Sequence, residues 1–156
     1  ILNSLIKSNF LLNREGIKFI LKPHPAVDSE SISSALGTEI PNNFIFTNKN
    51  SFPDLMLDST LLITEASSVC LESLALGKPV IIVESNLGLT YDPIPDDIPK
   101  ELFRRCHDEK SLSEAIKHYT TLNHTQKETF LNLGKEIRST YFEPISTSGI
   151  DLFLNN

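Results

Sequence analysis

Residues 61–83 read LLITEASSVCLESLALGKPVIIV, and the punctuation of this stretch decides the fold. LLIT (61–64) is a short apolar run suited to a strand. From Ser67 to Leu76 the spacing predicts a helix that starts at Ser67 or Ser68. Gly77 stands just past its last turn, where a left-handed residue closes a helix. Pro79 forbids continuation, and PVIIV (79–83) is the next strand. A strand, a helix and a strand in so short a span imply parallel pairing through a right-handed crossover.

The same alternation extends outward. ILNSLIKSNFLLN (1–13) carries Leu2, Leu5, Ile6 and Phe10 on one helical stripe. After Gly16, IKFIL (17–21) reads as a buried strand, ended by the two prolines of KPHP (22–25). A short helix is expected over 28–36, capped by Asp28 or Ser29 and closed by Gly37. NFIFTN (43–48) is a further strand, and Ser51–Leu57 a brief helix with Pro53 near its start. Downstream, residues 84–100 are rich in proline and aspartate and read as a loop. Leu102–Cys106 is a short edge strand. Ser111–Thr121 and His124–Thr140 are two helices, with Gly134 as a weak point in the second, and 141–156 is a polar tail. The expected class is α/β: a Rossmann-like three-layer domain with a mostly parallel sheet over residues 1–156.

Composition sets outer limits. With 40% apolar and 22% charged residues, the chain is ordinary for a globular domain able to bury a core. The net charge of −6, with no basic run longer than Arg104–Arg105, argues against a nucleic-acid partner. One phosphate pair, by contrast, needs only a few local donors. No apolar run reaches the length of a membrane span. No signal-peptide pattern and no initiator Met are present, so a fragment and a processed piece are both open readings. Cys70 and Cys106 form no metal or redox motif; a reduced, cytoplasmic setting is the expectation, with a disulfide between them left open.

In open parallel sheets, ligands bind at the carboxyl ends of strands. That rule selects the loops after IKFIL and after LLIT. In the second, the small residues Ala66, Ser67 and Ser68 permit close approach. The helix start offers unpaired N–H groups and a positive dipole end, and the two serines add hydroxyl donors, so a phosphate or diphosphate could rest there. Thr64 and Glu65 precede the turn, and no acid is expected in the first turn itself. The plainer alternative makes Ser67 an ordinary N-cap worth about 1 kcal/mol. The adjacent serines after Thr-Glu at a strand end favour the ligand. Glu72, one turn further in, could accept from ribose hydroxyls or be an ordinary solvated helix residue; the two readings weigh equally. In KPHP, stiff prolines present His24, which could donate to a phosphate, and Lys22 could add a cation. His107, His118 and His124 read as surface or boundary residues, and Asp92, Asp96 and Asp97 as a solvated loop. The motifs of serine hydrolases, of phosphate-binding glycine loops and of zinc sites are missing.

KPHP after an apolar strand, followed by ITEASSVCLESLALGKPVIIV (63–83), resembles the C-terminal, donor-binding half of GT-B glycosyltransferases. The pattern is most similar to the transferases of bacterial surface polysaccharides: CDP-glycerol glycerophosphotransferases, capsular polysialyltransferases and Kdo-type capsule transferases. The resemblance implies that His24-Pro25 and Ser67-Ser68 hold the donor's phosphates, with His24 as the catalytic group, and that Glu72 holds the ribose. Lys22, Thr64 and Glu65 complete the expected donor site. The glycerophosphotransferases typically read Thr-Asp-Tyr-Ser-Ser where this chain has Thr64-Glu65-Ala66-Ser67-Ser68, so the acid is kept and the aromatic is not. The implied partner is a nucleotide-activated sugar or CDP-glycerol, without a metal or other cofactor. The resemblance further implies an N-terminal acceptor domain and an opening strand upstream of Ile1, with peripheral membrane association of the full-length enzyme. A UDP-GlcNAc 2-epimerase-like domain, and a non-catalytic binding domain that keeps the fold, are the alternatives.

Overall fold

The computed structural model describes residues 2–12, 16–23, 32, 40–47, 50–65, 67–84 and 93–142. Helix α1 (Leu2–Leu12) leads to strand β1 (Phe19–Leu21), which pairs with β2 (Phe44–Phe46). Helix α2 (Phe52–Asp58) begins at the Ser51 cap, with Pro53 where its missing N–H costs nothing. Strand β3 (Leu62–Thr64), helix α3 (Val69–Ala75) and strand β4 (Val80–Val83) form the expected strand–helix–strand unit. A 3₁₀ turn at Lys100–Leu102 enters β5 (Phe103–Cys106), followed by α4 (Glu109–Thr120) and α5 (His124–Tyr141). The helix expected over 28–36 lies, apart from Ile32, outside the described residues, as does the tail from 143 onward.

Every strand pairing among the described residues is parallel, so the molecule is α/β, with helices packed on its strands in the Rossmann-like manner. β4 is buried along its whole length between β3 and β5, which suits a run of four aliphatic residues with no polar face. α1 packs on α4, and α3 packs on α5. The first contact includes the buried Ser8, whose hydroxyl donates to Ser4 O at 2.7 Å and Glu109 O at 3.0 Å, so no polar atom is stranded there. Capping boxes at Asp108/Ser111 and Asn123/Gln126 start the two long helices. Lys78 Nζ donates to Ser59 O at 2.8 Å and Leu57 O at 3.3 Å, placing a cation on the carbonyl end of α2.

Three features differ from expectation. Among the described residues the strands form two sheets, β1-β2 and β3-β4-β5, rather than one continuous sheet. Consistently, β1 is not a buried strand: Phe19 is covered and stacks on Phe44, but Ile20 is 44% exposed and Leu21 is half-buried. Its second edge has no neighbouring strand among the described residues. Gly134 is not a weak point in α5. A Cβ there would lie 2.5 Å from Gly77 N and 2.7 Å from Gly77 Cα, so the missing side chain is what lets α5 cross the end of α3. Cys70 and Cys106, whose pairing the sequence left open, are both buried thiols.

Candidate functional site

The carboxyl ends of β3, β4 and β5 form one edge, because the three strands run parallel in nearly the same register. Thr64 pairs with Ile82, and Val83 with Cys106. The residues immediately beyond these ends therefore share a surface: Glu65 after β3, Glu84 after β4 and His107 after β5.

Helix α3 starts two residues later than the first serine. Ser68 occupies the N-cap position with helical dihedrals, and its hydroxyl makes no capping bond. The first turn is tight: Cys70 N–H donates to Ser67 O at 3.1 Å and Leu71 N–H to Ser68 O at 3.2 Å. The reading of Ser67 as an ordinary N-cap is therefore displaced by one residue. The later start also moves Glu72 into the first turn, against the expectation that this turn carries no acid. Ser68 and Glu72 are exposed and Ser67 half-buried, so this helix start is open to solvent. Thr64 closes β3 and is half-buried, while Glu65 is exposed beside it. Ala66 lies outside the described residues.

The second expected segment is only partly described. Lys22 follows β1, and its ammonium donates to Asn50 O at 2.6 Å, which ties the end of β1 to the loop before α2. His24 and Pro25 lie outside the described residues, so their relation to Ser67 and Ser68 is not given by the structure.

One feature of this edge was not anticipated in the sequence. Nδ1 of His107 lies 2.6 Å from Oε2 of Glu84, a distance at which an imidazole N–H donates to a carboxylate. Arg105 Nε lies 3.9 Å from the other Glu84 oxygen, and its guanidinium stacks 4.8 Å above the Phe103 ring. Glu84 is held by its own backbone, since its N–H donates to Cys106 O at 2.9 Å. Glu84 is 26% exposed and the imidazole 72%, so the carboxylate orients a ring that remains open to solvent. The signal available in the sequence was position alone: the strand-end rule that selected the loops after β1 and β3 applies equally after β4 and β5.

Away from this edge, Asp97 accepts a hydrogen bond from the Tyr141 hydroxyl, which raises the Tyr141 pKa. Among the described residues, no group of His, Cys, Asp and Glu could hold a metal ion, and no helix is long and apolar enough to cross a membrane.

A sequence model of the family described as CDP-glycerol:poly(glycerophosphate) glycerophosphotransferase matches residues 8–137. The match takes in both selected loops and the five described strands. No curated protein and no solved structure matches the chain.

Proposed function

The chain belongs to the CDP-glycerol:poly(glycerophosphate) glycerophosphotransferase family, and from that premise we propose that it is the donor-binding part of a transferase that builds a surface polymer. In this reading it is one half of a GT-B arrangement, and it holds CDP-glycerol while an N-terminal acceptor domain presents the growing chain. The observation that carries the reading is the family match, which spans the two loops that the strand-end rule selects for a ligand.

The chemistry follows from the reactants. Transfer breaks the bond between the bridging diphosphate oxygen and the phosphorus that bears glycerol. A new bond forms from that phosphorus to an acceptor hydroxyl, whose proton passes to a base. CMP leaves with the electron pair, so negative charge grows on its phosphate. Such a step is catalysed mainly by positioning and by fixed positive charge or N–H donors around the leaving phosphate. The start of α3, with the Ser67 and Ser68 hydroxyls, supplies donors, His24 stabilises the leaving phosphate, and Lys22 adds a cation near the end of β1. Glu72 takes the ribose hydroxyls. Its place in the first turn keeps a carboxylate close to the phosphate, so the ribose has to lie between the two.

The test is a titration of the chain with CMP, CDP and UDP, following the amide signals of Ser67, Ser68 and His24. Cytidine nucleotides are expected to bind more tightly than UDP and to shift all three signals. A hydrogen bond to a charged phosphate contributes roughly 1.5–3 kcal/mol, so Ser67→Ala or Ser68→Ala is expected to weaken CDP about 10-fold or more. Equal affinity for UDP and CDP, or shifts confined to other surfaces, would sink the assignment. The 156 residues alone are expected to bind donor without turning it over.

A further inference from the structure

The register of β3, β4 and β5 sorts the side chains at their carboxyl ends onto two faces. Residues opposite one another in a parallel pair point to the same side of the sheet, and successive residues alternate. Leu62 and Thr64 stand opposite Val80 and Ile82, which stand opposite Phe103 and Arg105. Val83 stands opposite Cys106, so the next residues, Glu84 and His107, return to the Thr64 side. Arg105 bridges this row: its guanidinium stacks on the Phe103 ring at 4.8 Å, and its Nε lies 3.9 Å from Glu84. Arg104, on the other face, lies 5.8 Å above the Tyr119 ring of α4. α4 packs with α1 on that second face, whereas α3 contacts β3 and β4 and packs with α5. Since β4 is buried on both sides, α3 and α5 cover the Thr64 side. The Ser67–Ser68 turn that enters α3 therefore opens on the same side of the sheet as Glu84 and His107.

His107 differs from an ordinary surface histidine in being held. Its Nδ1 lies 2.6 Å from Glu84 Oε2, and Glu84 is anchored by its own N–H on Cys106 O at 2.9 Å. One ring nitrogen is thus engaged, while the ring as a whole stays 72% exposed and carries Nε2 toward solvent. Holding an exposed side chain in one orientation costs rotamer entropy, and exposed pairs of this kind add little to stability. What the contact does achieve is a fixed direction for Nε2. A hydroxyl suits Nε2 in either state of the ring, donating to the lone pair of the neutral form or accepting from the N–H of the cation. A phosphate oxygen, which only accepts, suits the second state alone.

We propose that His107 is a specificity-determining residue of the donor site, whose Nε2 hydrogen-bonds a hydroxyl of the group that the donor transfers. Glu84 is the positioning residue that aims the ring. This rests on the donor reading and deepens it, reaching the end of the donor beyond the phosphates and the ribose. The lengths agree. The ends of β3 and β5 are two strand spacings apart, about 10 Å. An extended chain of bonds, advancing about 1.2 Å per bond, covers roughly 8 Å from the nucleotide's phosphorus to the terminal glycerol oxygen. A hydrogen bond adds about 2.8 Å. A donor with its nucleotide phosphate at Ser67–Ser68, just past β3, and its far end laid across the end of β4 brings its glycerol hydroxyls to His107.

Calorimetric titration with CDP and with CDP-glycerol tests this on the parent chain and on His107→Ala, Glu84→Ala and Glu84→Gln. The parent is expected to bind CDP-glycerol more tightly than CDP. His107→Ala should lose about 3–10-fold in affinity for CDP-glycerol, the scale of one hydrogen bond, with CDP unchanged. Glu84→Ala should lose most of the same margin, because the ring then turns freely. Glu84→Gln should keep most of it, since the amide oxygen still accepts from Nδ1–H. A structural role for either residue would instead weaken both ligands alike. In the parent, where no variant has to fold, the nitrogen chemical shift of His107 Nε2 should move with CDP-glycerol and stay in place with CDP. The proposal is overturned if the parent binds both ligands equally, if His107→Ala affects both or neither, or if Nε2 fails to respond. Equal losses in Glu84→Ala and Glu84→Gln overturn the positioning role. Where the parent still prefers CDP to UDP, those failures leave the donor reading standing; a parent that binds neither nucleotide removes both.

Discussion

Replacing Gly134 by alanine sets two well-measured effects against each other. In the interior of an exposed helix the change stabilises, by about 1 kcal/mol from propensity alone. Here the new methyl would meet Gly77 N at 2.5 Å, Gly77 Cα at 2.7 Å and Leu74 O at 2.9 Å. All three are backbone atoms, so no side chain can swing aside. Ordinary carbon contacts lie at about 3.5–4.0 Å, so α5 must back away from α3 by about 1 Å. A gap of that size forfeits up to about half of the dispersion energy of each affected contact. The contacts at risk hold Phe130 and Ile137 of α5 and Leu74 of α3, all buried. Overpacking of this kind costs about 1–3 kcal/mol, and a clash with three backbone atoms belongs at the upper end. Subtracting the propensity gain leaves a net loss of about 2 kcal/mol, or a fall in Tm of about 4–8 °C for a chain of this size. Thermal and urea unfolding followed by circular dichroism read it directly. Gly77→Ala is expected to be costly as well, because φ is +69° and its Cβ would meet Leu131 Cα at 2.8 Å. Since the two glycines touch, the double variant is expected to lose less than the sum of the single losses. A Gly134→Ala protein as stable as the parent would refute the close crossing of α3 and α5.

Two further outcomes follow from buried groups. Tyr119 is fully buried, its hydroxyl donates to Glu101 O at 3.0 Å, and burial pushes its pKa up from 10 to about 12. The folded state therefore keeps a proton that the unfolded chain releases; this contribution to stability is complete below pH 10 and is lost as pH rises toward 12. Urea midpoints of Tyr119→Phe and the parent, compared across that range, should converge as pH rises; parallel curves would refute the linkage. Cys106 is also buried, and desolvation raises its thiol pKa, so with Cys70 it should resist a thiol reagent at neutral pH until the chain unfolds. Rapid labelling of the native protein would contradict the burial of both.

The fold was legible where punctuation and periodicity agreed. Gly77 takes positive φ at the end of α3, Pro79 precedes β4, and each apolar run singled out in the sequence contains a strand. The division into two sheets was not legible, because an apolar run announces a strand without naming its neighbours. The role of Gly134 was hidden for a related reason. A glycine inside a helical pattern reads as a propensity penalty, and only the crossing of α5 over Gly77 turns it into a requirement. The start of α3 falls one or two residues past the expected Ser67 or Ser68, because adjacent serines are equally good caps on paper and the backbone of Ser68 adopts helical dihedrals instead.

The candidate site was legible as a set of strand ends and much less so as a set of side chains. The juxtaposition of Glu84 and His107 depends on the register of β4 against β5. With Val83 opposite Cys106, the next residue of each strand falls side by side, and a carboxylate meets an imidazole. A slip by one residue would turn every side chain of β5 to the opposite face. Phe103 and Cys106 stand on opposite faces and are both buried, so a slip would displace one buried side chain on each side of the sheet. The burial of those residues therefore fixes the register, and the register fixes the carboxylate–imidazole contact. The contact is thus a consequence of core packing delivered to the edge where the strands end, and a reading of His107 as a surface or boundary residue had no access to it. The same logic orders the rest of this edge: Thr64 is held opposite Ile82, so the Ser67–Ser68 turn starts from a strand whose position β4 sets.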